Sequence, residues 1–210
     1  MNTTVTPLQT GLLFATLGVL AWSGIQPHDY FTWLLEVMPV LIALPLLIVT
    51  RKAFPLTPLV YMLIALHGAI LMVGGHYTYA EVPLFNWLRD NFDLARNHYD
   101  RVGHFAQGLV PALVTREILL RRTPLQRGKM LFFLVVCVCL AISATYELIE
   151  WGVAEASGSD AVAFLATQGD IWDTQKDMAL ALLGSILGQL SLARLHDRQL
   201  RALTDTYRSI

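Results

Sequence analysis

An all-α, polytopic membrane helix bundle with about six transmembrane helices is the fold this sequence predicts, and three observations predict it. Hydrophobic residues make up 55% of the 210-residue chain and charged residues only 15%, with a mean hydropathy of +0.51. A soluble domain carries about 25% charged residues and could not cover its surface with so few. The apolar residues fall into segments that each approach the roughly 20 residues needed to cross a bilayer. Of the 15 basic residues, eleven also sort to one side once those segments are threaded in and out. The same composition excludes a disordered chain. With 15 basic against 16 acidic residues, no positive field is left for a nucleic acid.

The apolar segments cover residues 7–25, 31–50, 56–75, 101–120, 130–150 and 177–194. No Lys or Arg precedes the first, so it reads as a retained span rather than a signal peptide. The third follows Pro55 and includes Pro58, and the fourth holds Pro111, which should kink it. The fifth runs from Met130 to Tyr146 without a charge. Its two cysteines, Cys137 and Cys139, point to different helix faces and cannot bridge. The sixth carries Ala181, Gly184, Ser185 and Gly188 on roughly one side, a stripe that lets helix backbones approach closely.

Two outer connections are long. After Pro83, the residues Phe85, Leu88, Phe92, Ala95 and Tyr99 recur every three or four positions, which predicts an amphipathic helix lying in the outer interface. Residues 151–176 are punctuated by Gly152, Gly158 and Gly169, with Ala161 to Thr167 as a candidate short helix. No repeat or domain boundary is visible, so 1–210 is expected to form a single integral membrane domain whose surroundings are membrane lipids.

Orientation follows from the basic residues. A cytoplasmic N-terminus places Arg51, Lys52, Arg116, Arg121, Arg122, Arg127, Lys129, Arg194, Arg198, Arg201 and Arg208 inside. Only Arg89, Arg96, Arg101 and Lys176 then fall outside, so both termini are expected in the cytoplasm.

The outer ends of the spans carry the candidate site. Asp100 and His104 lie four apart on one face of the fourth span, with Gln107 a turn further on. Glu147 and Glu150 lie three apart at the end of the fifth apolar run, Asp173 and Asp177 four apart at the start of the sixth, and His76 closes the third. Asp100 and Asp173 have an ordinary explanation as helix N-terminal acids. Glu147 and Glu150 do not, because a helix C-terminus disfavours negative charge and an unpaired charge in an apolar span costs at least ~2.5 kcal/mol. Their compensating partners are to be sought among His76, His104, Arg101, Lys176 or a divalent metal ion. Acids and imidazoles at these helical spacings are how bundles aim ligands at one centre. The metal-ligand set this predicts is His104, Glu147, Glu150, Asp173, Asp177 and His76, and the acid/base set is Asp100, His104, Glu147, Glu150, Asp173 and Asp177. His67, alone in mid-span, is expected to donate a helix–helix hydrogen bond.

Four stretches carry a family resemblance: Gly75-His-Tyr-Thr-Tyr79, Tyr99-Asp-Arg-Val-Gly-His-Phe105, Tyr146-Glu-Leu-Ile-Glu-Trp151 and Gly169-Asp-Ile-Trp-Asp-Thr-Gln-Lys-Asp177. Over its whole length the chain resembles a family of inner-membrane proteins, which implies a multi-pass location in the cell inner membrane. Over about 100–190 it is also similar to VanZ-like membrane proteins. Asp100, His104, Glu147, Asp173 and Gly184 match that pattern, whereas Glu150 and Asp177 stand where it has Gln and Asn.

Three classes of function fit these features. The first is an outer-leaflet enzyme using the acid/His cluster, alone or with a divalent metal, on a lipid or envelope intermediate. The second is a transporter or proton-coupled permease, although no mid-membrane acid pair or inverted repeat stands out. The third is an accessory protein whose cluster is an ion-pair network. No nucleophile motif, Gly-rich phosphate loop or redox-cofactor signature is present.

Overall fold

A computed structural model describes residues 5–157 and 166–208. Among the described residues seven α-helices follow one another: α1 (Pro7–Ser23), α2 (Tyr30–Thr50), α3 (Pro58–Tyr77), α4 (Pro83–Asn91), α5 (Tyr99–Arg122), α6 (Lys129–Ser157) and α7 (Asp173–Arg208). A 3-10 turn, Tyr79–Glu81, links α3 to α4, and no strand occurs among the described residues. Four helices, α2, α3, α6 and α7, are long and apolar enough to cross a membrane. The α1 helix is apolar but has 17 residues, and α5 has 24 residues and more charge than a lipid-facing span tolerates.

The starts of these helices are written locally. Thr6 and Gln9 form a reciprocal capping box ahead of Pro7. The Asp29 carboxylate accepts from the Thr32 N–H at 2.6 Å and caps α2. Pro58 and Pro83 open α3 and α4, where a missing N–H costs nothing. Along α2, Phe31, Leu34, Met38, Ile42, Leu46 and Val49 are exposed at helical spacing, a stripe fit for lipid, while Thr32, Glu36, Val37 and Val40 are buried.

The charges of α5 are explained by its position. It packs most extensively on α7 and also on α6 and α3, so neighbouring helices rather than lipid surround it. Ala112 and Leu113 of α5 join Val60, Leu131, Val135 and Cys139 in the largest apolar cluster. The α5–α7 contact is a small-residue contact, as the stripe on the sixth segment predicts. A Cβ on Gly184 would lie 2.1 Å from the Phe105 carbonyl oxygen, and one on Gly108 would lie 1.9 Å from that of Ala181. Only glycine permits backbones this close.

At the Arg122 end of α5 a second polar group is buried. The Thr57 N–H and hydroxyl and Arg121 all donate to Glu117, whose Oε2 is 3.0 Å from His196 Nε2. Arg116 donates to His196 Nδ1 at 3.1 Å and pairs with Asp197 at 2.7 Å. Since the guanidinium can only donate, this imidazole accepts at Nδ1 and carries its proton on Nε2, facing Glu117. The network ties the start of α3 and the end of α5 to α7.

Several expectations need correction. The α6 helix continues two turns past the apolar run to Ser157, so Glu147 and Glu150 lie inside a helix and not at its C-terminus. The outer helix is shorter than its periodicity suggests. It stops at Asn91, whose side chain donates to the Trp87 carbonyl, and the chain turns at Asp93, where φ is 50°. Tyr99 belongs instead to α5, although Leu84, Trp87 and Phe92 do form an exposed apolar face. The α5 helix is unbroken across Pro111. The candidate helix at Ala161 to Thr167 falls mostly outside the described residues.

Candidate functional site

The site lies where the start of α5, the start of α7 and the C-terminal part of α6 meet. Asp100, His104, Glu147, Asp173 and Asp177 are all buried there. His104 is the junction. Its Nε2 lies 3.3 Å from an Asp100 carboxylate oxygen and 3.9 Å from Asp177, and its Nδ1 lies 3.2 Å from Gln107 Oε1 and 3.7 Å from Glu147 Oε1. Both ring nitrogens therefore face oxygens contributed by three helices. One ligand atom each from Asp100, His104 and Asp177 falls within 4.8 Å of the others, close enough to share a cation. The Thr174 side chain stands beside Glu147, whose Oε1 has no hydrogen-bond partner among the described residues.

The aspartates are not left to repel one another. Arg96, itself buried, pairs with Asp173, lies 3.4 Å from Asp100 and 3.7 Å from Asp170, and donates to the Ala166 carbonyl at 2.8 Å. Arg101 pairs with Asp177, reaches Asp173 at 2.5 Å and Asp170 at 3.1 Å, and lies 3.8 Å from Asp100. Lys176 closes the outer rim on Asp170 at 2.6 Å. That contact, with the Trp172 N–H, holds the Asp170 carboxyl below the usual Asp value. Asp173 thus serves as an ion-pair partner at the head of α7.

A cavity of about 750 Å³ opens beside His104, within the ~300–1,000 Å³ of pockets that enclose a small ligand. It exists because α2 packs chiefly on α3, and α5 chiefly on α7, leaving a cleft between α2 and α5. Glu36, Asp100, His104, Tyr79, Tyr146 and Glu150 line its polar part. Glu36, buried in α2, has the Tyr79 and Tyr146 phenols beside it on that wall. Tyr79 is aimed by its neighbours: Thr78 takes φ 59°, and the ring fits against Gly74 and Gly103, where a Cβ would lie 2.3 and 2.9 Å away.

The sequence comparisons agree with the architecture. The family model described as "Predicted membrane protein (DUF2238)" matches residues 8–198. The chain belongs to this family. It is 56% identical over 203 residues to the inner membrane protein YjdF of Escherichia coli (strain K12), covering 96% of this chain and 97% of that protein. No solved structure matches. The family places the chain in the cell inner membrane as a multi-pass protein.

Within this family member, the structure gathers Asp100, His104, Glu147, Asp173 and Asp177, and Glu150 joins through the cavity wall. His76 is elsewhere. Its Nδ1 lies 3.1 Å from the Ser23 carbonyl and its ring stacks against Trp22, because α3 ends against the end of α1. His67 also departs from expectation, since its Nε2 is buried without a hydrogen-bond partner among the described residues. Sequence reasoning missed Glu36, Tyr79 and the role of Arg96. Glu36 left a signal, being the single acid within the second apolar segment. Arg96 left none, since it sits in a connection counted only for topology.

Proposed function

We propose that this protein is a membrane enzyme of the outer leaflet that performs acid/base chemistry on an amphiphilic lipid or envelope intermediate. His104, oriented by Asp100, is the exchanging group, and Glu147 and Glu150 are the acids beside it. The observation that carries the reading is the junction at His104: one buried imidazole bridges two carboxylate groups at the wall of a mainly apolar cavity. The reading goes with a single domain of six spans, both termini in the cytoplasm, and a substrate that arrives laterally past α4.

The metal-dependent form of this reading places a divalent ion on Asp100, His104 and Asp177. An accessory role has its own support, because Arg96 and Arg101 already pair with Asp100, Asp170, Asp173 and Asp177. For the transporter alternative, the supporting observation is that Glu36 and His104 line a cavity within the bundle.

The deciding experiment compares envelope amphiphiles in cells lacking the protein and in cells complemented with wild type, His104→Asn or Glu147→Gln. One amphiphile should change on deletion, recover with wild type and fail to recover with His104→Asn. Identical profiles for wild type and His104→Asn would leave the accessory role. Stoichiometric metal in purified wild type, lost in His104→Ala, would select the metal-dependent form.

A further inference from the structure

The cavity between α2 and α5 has a chemistry of its own. Over most of its length the walls are apolar, with Leu12, Val40, Ile64, Leu71, Val110 and Ile142 among the lining residues. Its acids, Glu36, Asp100 and Glu150, come from α2, α5 and α6. Asp100 already has Arg96 and Arg101 within ion-pair distance. Glu36 and Glu150 form no ion pair with Lys or Arg among the described residues, and the one arginine that lines the cavity, Arg51, lies at the other end of α2 from Glu36. Glu36 has the phenols of Tyr79 and Tyr146 beside it, with Asp100 and His104 on the same cavity wall. Burial keeps such an acid neutral until a cation joins it and takes the place of its proton.

We propose that this cavity binds one long-chain amphiphile with a positively charged head, its tail along the apolar walls and its head between Glu36 and Glu150. Charge complementarity selects that occupant. A phosphate or carboxylate head would meet two acids that have no Lys or Arg partner, and a neutral alcohol would add no charge to offset theirs. The tyrosines suit a cation as well, since aromatic faces attract positive charge. The tail gains from burial only where it displaces water. In a bilayer, selectivity must therefore come from the head. The inference rests on the enzyme reading in one respect, that the occupant bound beside His104 is the substrate.

The test uses the full-length protein in detergent and three probes of equal chain length: hexadecylamine, hexadecanol and palmitate. Hexadecylamine should bind saturably, one per chain, and at least tenfold more tightly than either of the others. Glu36→Gln should lower the amine's affinity tenfold or more and leave the alcohol within twofold, while Ala65→Phe, which fills the cavity, should weaken both. Should a variant fail to fold, wild type alone still decides. Dicyclohexylcarbodiimide should label Glu36, and the amine but not the alcohol should slow that labelling. Equal affinity for amine and alcohol, or Glu36 labelling indifferent to the amine, overturns the proposal. The two readings fail separately: amine protection of Glu36 with a silent His104→Asn removes the enzyme, and the reverse pattern removes the cationic ligand.

Discussion

Substituting Gly184 by alanine tests whether the close contact of α5 with α7 builds the site. The added Cβ would sit 2.1 Å from the Phe105 carbonyl oxygen and 3.0 Å from the Leu109 nitrogen. Carbon–oxygen contacts settle near ~3.3 Å, so the two backbones must part by roughly 1 Å. A gap of about 0.5–1 Å forfeits a quarter to a half of each contact's attraction, and overpacking of this kind costs about 1–3 kcal/mol. Helix propensity works the other way, since alanine is better than glycine by about 1 kcal/mol in a helix. Gly152→Ala isolates that gain, because nothing lies within 4 Å of its Cβ. Thermal unfolding in detergent, followed by circular dichroism, should rank Gly152→Ala at or above wild type and Gly184→Ala clearly below. Gly188→Ala should fall between, because its nearest neighbours, the Leu109 Cγ at 3.1 Å and carbonyl oxygen at 3.2 Å, stand about 1 Å further off than the Phe105 oxygen does from Gly184. The same separation moves His104 away from Asp177, so Gly184→Ala should also weaken any activity that His104→Asn abolishes. Equal stability of Gly184→Ala and Gly152→Ala would refute the argument.

Arg96→Met should destabilise by about 3–5 kcal/mol in denaturant unfolding, because it strips a buried partner from Asp100 and Asp173. Adding Asp173→Asn should recover part of that loss, and strict additivity of the two changes would contradict the pairing. Reporter fusions at residues 52, 125 and 205 should read cytoplasmic and those at 90 and 165 periplasmic; a periplasmic signal at 125 would overturn the topology, since the adjacent loop is the most basic. Lys176 holds the Asp170 carboxyl below its usual value of 3.8. The stability this contributes is present above the usual Asp range and lost as pH falls through the lower folded value. Lys176→Met should therefore flatten the acid side of the stability profile, and an unchanged slope below about pH 5 would count against the contact.

The membrane class, the positions of the helices and the helical pairs Asp100/His104, Glu147/Glu150 and Asp173/Asp177 are legible without any structure. They depend on periodicity and on how few charges a span can carry, both local properties of the chain. The Gly184 contact is legible for the same reason, since a stripe of small residues already states that something packs there. Its partner is not stated. That α5 is the helix enclosed by the others, and so the one allowed to carry Asp100, Arg101, Arg116 and Glu117, follows only from packing. The same holds for the partners of the acids. Arg96 and Asp173 stand 77 residues apart, and Glu36 meets Tyr146 across two helices that share no local pattern. His76 and His104 look alike in sequence, each near an end of an apolar run. Tertiary structure separates them, because α3 ends against Ser23 and Trp22 whereas α5 opens onto α6 and α7. Burial cost makes the presence of a partner obligatory, but only the arrangement of helices determines which side chain it is.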